Sequence, residues 1–383
     1  MTRVLFSSTW GYGHLFPLLP LARAFVQAGH DVVVATSADS CRHVAEAGLP
    51  ATPAGLAGTR RRESVGELLS ASASFAPEDR AGFLFPHMFG ETFAPPMAAD
   101  LLPFARRWRP ELLIHEQGEL AAPLVGAVMG VPSMTHAFGG AVPASFVADA
   151  GERLSSLWAD HGRTLPPYAG CYTSPYLDIC PPAVQSVSLS HIGAIQPLRP
   201  VPDTGRLPDG TPDYLRADGR PLVYLTFGTV HRPRLLQPAV AAVAALPVRL
   251  LVALGPNGNP SELGDQPENV RIEAWVHQPS VLERCAVVVS HAGSGTFLGA
   301  LSHGVPQLCL PQGADQFRNA DGGTRAGAVL VLTPSQATPD AIQAAVDRLL
   351  TEDHFTTNAR RVASDIAAMP SPAAVVDLLT QRA

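Results

Sequence analysis

Ala286-Val287-Val288-Val289-Ser290-His291-Ala292-Gly293-Ser294-Gly295-Thr296 reads as a buried strand running into a glycine-rich turn, with helical spacing over 297–302 behind it. An unbroken apolar run suits a strand covered on both faces, as in a parallel sheet flanked by helices. The pattern recurs outward. Strand-like runs at 222–226, 249–253 and 307–310 end in Phe227-Gly228-Thr229, at Gly255 and at Pro311, and 341–350 reads as helix. At the other end, Val4-Leu5-Phe6 leads into the loop Thr9-Trp10-Gly11-Tyr12-Gly13-His14. Leu15, Leu18, Leu19, Ala22, Phe25 and Val26 then fall at helical spacing, Gly29 closes, and 31–35 is strand again. That is a βαβ unit. Strands at 112–114 and 133–135, with a helix at 121–129, extend it.

The fold class expected is therefore α/β, with two doubly wound Rossmann-like domains. The Pro/Gly-rich stretch from Arg199 to Gly210 separates them. The expected boundaries are 1–200, a linker at 201–220, a second domain at 221–370, and a terminal helix at 371–383 packing back on the first domain. In open α/β sheets ligands bind beyond the carboxyl ends of the strands, so the expected site is a cleft that the two domains face.

Composition narrows the chemistry. All 27 basic residues are Arg, which excludes Schiff-base lysines and the P-loop lysine. Net charge is −6 with no basic run beyond Arg60-Arg61-Arg62, which argues against nucleic acid as a partner. Five Cys without a C-x-x-C pattern fit a reducing compartment and no zinc site. No unbroken apolar run approaches the ~20 residues of a membrane span, so a cytoplasmic protein with no membrane partner is expected, as a monomer or homodimer. No Asp-x-Asp pair or metal-spaced cluster of ligands occurs, so no metal or resident cofactor is expected.

Glycines ahead of a helix let backbone N–H groups approach an anion, and the helix dipole adds attraction. His291 at the edge of that turn could donate to a phosphate oxygen. Two glycines alone are weak evidence, because many strand-to-helix turns carry them for steric reasons. His14, at the end of the first strand's loop, is of the residue type suited to taking a proton near neutral pH. Phe83, Phe85, Met88 and Phe89 form an aromatic and Met cluster that suits a flat apolar ligand, and equally a helix buried in the core. Trp158, Tyr168, Tyr172 and Tyr176 form a second aromatic set.

Trp275-Val276-His277-Gln278-Pro279, His291-Ala292-Gly293-Ser294-Gly295-Thr296, Gly304-Val305-Pro306, Pro311 and Asp315-Gln316-Phe317-Arg318-Asn319-Ala320 follow one another in an order and spacing that resemble the donor signature of inverting GT-B glycosyltransferases. Gly13-His14-Leu15-Phe16-Pro17 and Ala28-Gly29-His30-Asp31-Val32 resemble that family's first βαβ unit. The resemblance is strongest to the bacterial branch that decorates antibiotics. It implies Trp275 against the nucleotide base and the Val276 backbone at the base edge, with Gln278 nearby. It implies His291 and the N–H groups of Ser294, Gly295 and Thr296 on the diphosphate, with Gly228 and Thr229 closing the other side. Asp315 and Gln316 would hold sugar hydroxyls.

By the same resemblance His14 deprotonates the acceptor and a carboxylate orients it. Glu116 stands at the expected place, with Glu119 as a rival. UDP-sugar relatives often carry Glu eight residues after the motif histidine, to bind the ribose. Here that position is Gly299, which fits a deoxyribose and hence a dTDP-linked sugar. The expected partners are this nucleotide sugar and a small-molecule aglycone, with an aromatic polyketide ahead of a macrolide or enediyne. Transfer could be to oxygen or carbon. Two rival readings are a nucleotide-sugar epimerase of the same fold, which needs no aglycone pocket, and a non-catalytic nucleotide-sugar-binding partner.

Overall fold

The structure, a computed structural model, describes residues 1–202, 212–216, 218–228, 235–255 and 258–380. Thr229 and half of the expected linker lie outside the described residues. The chain divides into two compact units. The first comprises Met1–Cys180, Val187–Asp203 and Met369–Ala383; the second comprises Pro181–Ser186 and Thr204–Ala368.

The first unit is built on a parallel sheet of seven strands in the order β3-β2-β1-β4-β5-β6-β7. These are β1 (Arg3–Ser7), β2 (Asp31–Thr36), β3 (Ala51–Pro53), β4 (Leu112–Glu116), β5 (Ser133–His136), β6 (Tyr176–Asp178) and β7 (Ile195–Pro197). Strands β1 and β4 are neighbours, with Val4 opposite Leu112 and Ser7 opposite His115. The order therefore reverses between them, which is where such a sheet opens a crevice at its carboxyl edge. The expected single helix after β1 is instead a short helix (Tyr12–Leu15), a 3-10 turn (Phe16–Leu18) and a helix (Leu19–Gln27). Pro17 and Pro20 each remove an N–H donor, so the run restarts at each proline rather than continuing. The terminal helix Pro372–Thr380 packs on Leu19–Gln27.

The second unit has a six-stranded parallel sheet in the order β10-β9-β8-β11-β12-β13. Its strands are β8 (Leu222–Thr226), β9 (Arg249–Ala253), β10 (Val270–Glu273), β11 (Val287–Ser290), β12 (Gln307–Cys309) and β13 (Val329–Val331). Alternate residues serve opposite faces. Val223, Leu225, Val287 and Val289 enter one core cluster, while Leu222, Tyr224 and Val288 enter another. Here the order reverses between β8 and β11, with Thr226 opposite Ser290. The segment Pro181–Ser186, expected in the first domain, packs with this unit instead. Gly322 lies so close to the Val184 carbonyl that no side chain fits there.

The run Asp353–Thr380 has the length and mean hydropathy of a membrane span. It is divided, however, into Asp353–Ala368 and Pro372–Thr380, with 16 and 9 residues, both shorter than a span needs.

Candidate active site

His14 and Glu116 meet at the strand-order reversal of the first sheet. Glu116 is the last residue of β4. His14 lies in the short helix after β1, entered through Gly11 at φ +105°, a conformation that only glycine adopts cheaply. His14 Nδ1 stands 3.2 Å from Glu116 Oε2, with the carboxylate fully buried and the imidazole 25% exposed. Thr9 donates its N–H (3.2 Å) and hydroxyl (2.7 Å) to Glu116 Oε1, and Gly118 N–H donates to Oε2 at 2.5 Å. Burial pushes the Glu116 carboxyl up. The charge and hydrogen bond of His14, with the Thr9 and Gly118 bonds, outweigh that and hold it below its ordinary value. The carboxylate is thus held in its ionised form, and Nδ1 is the His14 nitrogen that faces it.

Glu119 is engaged elsewhere. It accepts from Ser7 Oγ (2.5 Å) and from the N–H groups of Ala121 (2.7 Å) and Ala122 (3.2 Å), at the start of the helix Ala122–Met129. Glu116 is therefore the carboxylate that reaches His14, and Glu119 caps a helix.

Two rings flank His14. Phe89 has its centroid at 5.3 Å and Phe138 at 4.6 Å. Phe89 belongs to an eight-residue π-helical segment, Pro86–Phe93. Gly118 makes room for it, since a Cβ there would stand 3.0 Å from the Phe89 ring and 3.1 Å from Glu116 Oε2. Of the four residues expected to face the acceptor, Phe89 alone lies against His14 among the ring contacts described. Phe85 is buried in the core cluster that also holds Phe89, Phe93 and Met97, and its ring lies 4.9 Å from that of Phe89. Phe83 stacks on Phe75 at 5.3 Å, and Met88 is half-buried against the core. Trp158 and Tyr176 are core residues too. Thr9 and Phe138 were not singled out from the sequence. Each acts on a residue many positions away, and no local motif marks such a contact.

The second unit places its motif residues at its own strand-order reversal. His291 follows β11 and Gly228 follows β8. Gly228 has φ +72°, and a Cβ on it would stand 2.8 Å from the His291 ring. A Cβ on Gly293 would overlap His291 Nε2. These glycines therefore make room for the imidazole, as well as exposing backbone. Burial lowers the His291 pKa against the opposing effects of Asp315 and a backbone bond with Thr226, so the ring is neutral at pH 7. The helix Ser294–Ser302 has Gly293 as its N-cap, with no side-chain cap. Its first bond inside the turn is Phe297 N–H to Gly293 O at 2.9 Å. The N–H groups of Ser294, Gly295 and Thr296 precede it and have no intrahelical acceptor.

Asp315 Oδ2 accepts from Ser294 Oγ at 2.6 Å and from Asn319 Nδ2 at 3.0 Å. Asn319 also donates to Ala292 O at 2.9 Å, tying the loop to the glycine turn. Its place in the motif was visible, but its bracing role was not. Gln316 Oε1 accepts from the N–H groups of Gln312 (2.8 Å) and Gly313 (3.2 Å). Gln278 Nε2 donates to Thr296 Oγ1 at 3.0 Å. Trp275 is 46% exposed, too much for a core tryptophan, while Val276 beside it is buried. The His277 side chain caps the helix Gln278–Leu282 by accepting from Ser280 N–H, a role not evident from sequence. Ala292 is fully buried at φ +64°, so its methyl carries the backbone strain that a glycine would avoid. Gly299 is buried as well. A Cβ there would stand 3.2 Å from Leu282 Cδ1 and 3.6 Å from Gln278 Oε1, so the glycine also serves helix packing.

A strand-order reversal carrying a histidine–carboxylate pair, and a second carrying an anion-ready helix terminus, define a two-unit transferase of the GT-B class. Residues 23–167 match the N-terminal domain, and 238–381 the C-terminal domain, of the erythromycin biosynthesis protein CIII-like family. The chain belongs to this family of antibiotic-pathway glycosyltransferases. It is 35% identical to L-demethylnoviosyl transferase of Streptomyces niveus, over 98% of this chain and 97% of that one. It is 34% identical to the elloramycin glycosyltransferase of Streptomyces olivaceus, over 97% and 95%. Among solved structures, glycosyltransferase SsfS6 of Streptomyces sp. SF2575 complexed with thymidine diphosphate matches with a TM-score of 0.80 and 28% identity, covering all of both chains.

The Glu119 environment yields a pH prediction. Burial raises this carboxyl from 4.5 to about 7, and Glu116 adds to the rise. Between those values the folded chain keeps a proton that the unfolded chain has released. Stability therefore falls as pH rises through that window and levels off above it. Glu119→Gln removes the titration. Urea unfolding at several pH values should show the wild type losing up to about 3 kcal/mol relative to the variant between pH 4.5 and 7.5. A pH-independent difference would show that Glu119 is ionised throughout.

Proposed function

We propose that the chain transfers a deoxysugar from dTDP to a natural-product aglycone, with inversion and without a metal ion. The observation that carries this reading is the 3.2 Å contact between His14 Nδ1 and the buried Glu116 carboxylate. Such a pair presents Nε2 as a general base. His14 Nε2 takes the acceptor proton, and the freed electron pair forms the bond to the anomeric carbon. The bond to the diphosphate oxygen breaks on the opposite face, and its electrons leave with the diphosphate. In this reading the charge on that leaving group is met by His291 and the N–H groups of Ser294, Gly295 and Thr296. Asp315 offers its second carboxylate oxygen, and Gln316 its amide N–H groups, to the sugar hydroxyls.

The aromatic rings of Phe89 and Phe138 beside His14 support a flat, apolar acceptor such as an aromatic polyketide. A phenol deprotonated by His14 can react at oxygen or at a ring carbon. Gly299 supports dTDP over UDP: the position supplies no carboxylate for a 2′-hydroxyl, and even a Cβ there presses on Leu282.

Two experiments test the reading. His14→Ala should lower turnover by at least about a hundredfold while leaving dTDP affinity within about twofold, measured by calorimetry alongside product formation. Unchanged turnover would remove His14 from the reaction. In competition binding, dTDP should bind about tenfold more tightly than UDP, and tighter binding of UDP would overturn the donor assignment.

A further inference from the structure

The Phe138 ring lies 4.6 Å from His14, yet the chain that carries it has little stiffness of its own. Gly139 and Gly140 follow Phe138 directly, and two consecutive glycines leave the backbone its widest choice of conformations. Among the described residues, bonds on both sides of Phe138 pin the turn from outside. Ahead of Phe138, Ala137 N–H donates to Leu177 O of β6 at 2.9 Å. Behind it, Gly140 O accepts from Gln117 Nε2 at 3.1 Å. Gln117 is itself held, because Tyr176 OH donates to its Oε1 at 2.8 Å. Gln117 and Tyr176 are both buried, so these bonds face little competition from water. Gln117 also directly follows Glu116, placing the tether and the carboxylate on one turn of chain.

We propose that Gln117 is a positioning residue: it holds the Phe138 turn so that the Phe138 ring keeps the His14 imidazole directed at Glu116. The proposal rests on His14 as the base. Phe89 and Phe138 both pack against the imidazole, and Phe89 is a buried residue of the π-helical segment. The Phe138 side depends on the tether.

The test is Gln117→Met in the full chain, which keeps side-chain length and removes both hydrogen bonds. Long-range proton–nitrogen spectra of ¹⁵N-histidine protein read the tautomer of His14, whose signals are assigned by their loss in His14→Ala. The wild type should show one protonated nitrogen. The variant should show an averaged pair, with kcat down about tenfold and the donor KM unchanged. A thermal shift without change in the His14 signals or in kcat would mean that Gln117 is only structural, and would overturn the proposal. If Gln117→Met does not fold, Phe138→Leu should give the same two readings, and an unaltered His14 signal there would equally overturn it. If His14→Ala keeps its turnover while Gln117→Met still shifts the His14 signals, the base reading fails and the tether stands.

Discussion

Glu116 carries a charge without contact with water, and the active arrangement depends on what makes that charge tolerable. A carboxylate buried alone would take up a proton. Here two donors from Thr9, one from Gly118 and the imidazole of His14 surround it. Thr9 arrives from the end of β1, and Gly118 follows the end of β4. They converge because these two strands are neighbours in the sheet although about a hundred residues apart in the chain. The strand order thus brings these groups together before any side chain is considered, with His14 Nδ1 facing the carboxylate.

The second unit repeats the strand-order reversal. Its reversal point carries glycines and a neutral histidine, ahead of a helix whose first N–H groups have no side-chain cap. A chain with no lysine can hold a phosphate in this way, since backbone donors and a dipole need no formal charge. Gly228 and Gly293 clear the His291 ring, and Asn319 ties the neighbouring loop to the turn. The glycine pattern thus serves the placement of the ring.

Much of this was readable in the sequence, for physical reasons. The central strands of the second sheet are apolar runs, and 222–226 and 249–253 coincide with β8 and β9. The three-residue strands β3, β6, β7 and β13 were not anticipated, because so short a segment carries no periodicity of its own. Glu116 and Glu119 could not be separated by spacing, since both follow one strand. Only the fold shows that one faces His14 while the other caps a helix. Phe85 and Phe89 share one aromatic run and one core cluster, yet of the two only Phe89 meets the His14 ring among the described contacts. Phe138 and Gln117 act through contacts that topology creates, so no motif contains them.

Kinetics and dTDP binding of Glu116→Gln test this account most directly. The amide keeps the shape of the carboxylate and can still accept from Thr9, but it carries no charge to hold the hydrogen of His14 on Nδ1. The account predicts that kcat falls by at least about a hundredfold while dTDP affinity is unchanged. A variant that turns over at the wild-type rate would contradict it.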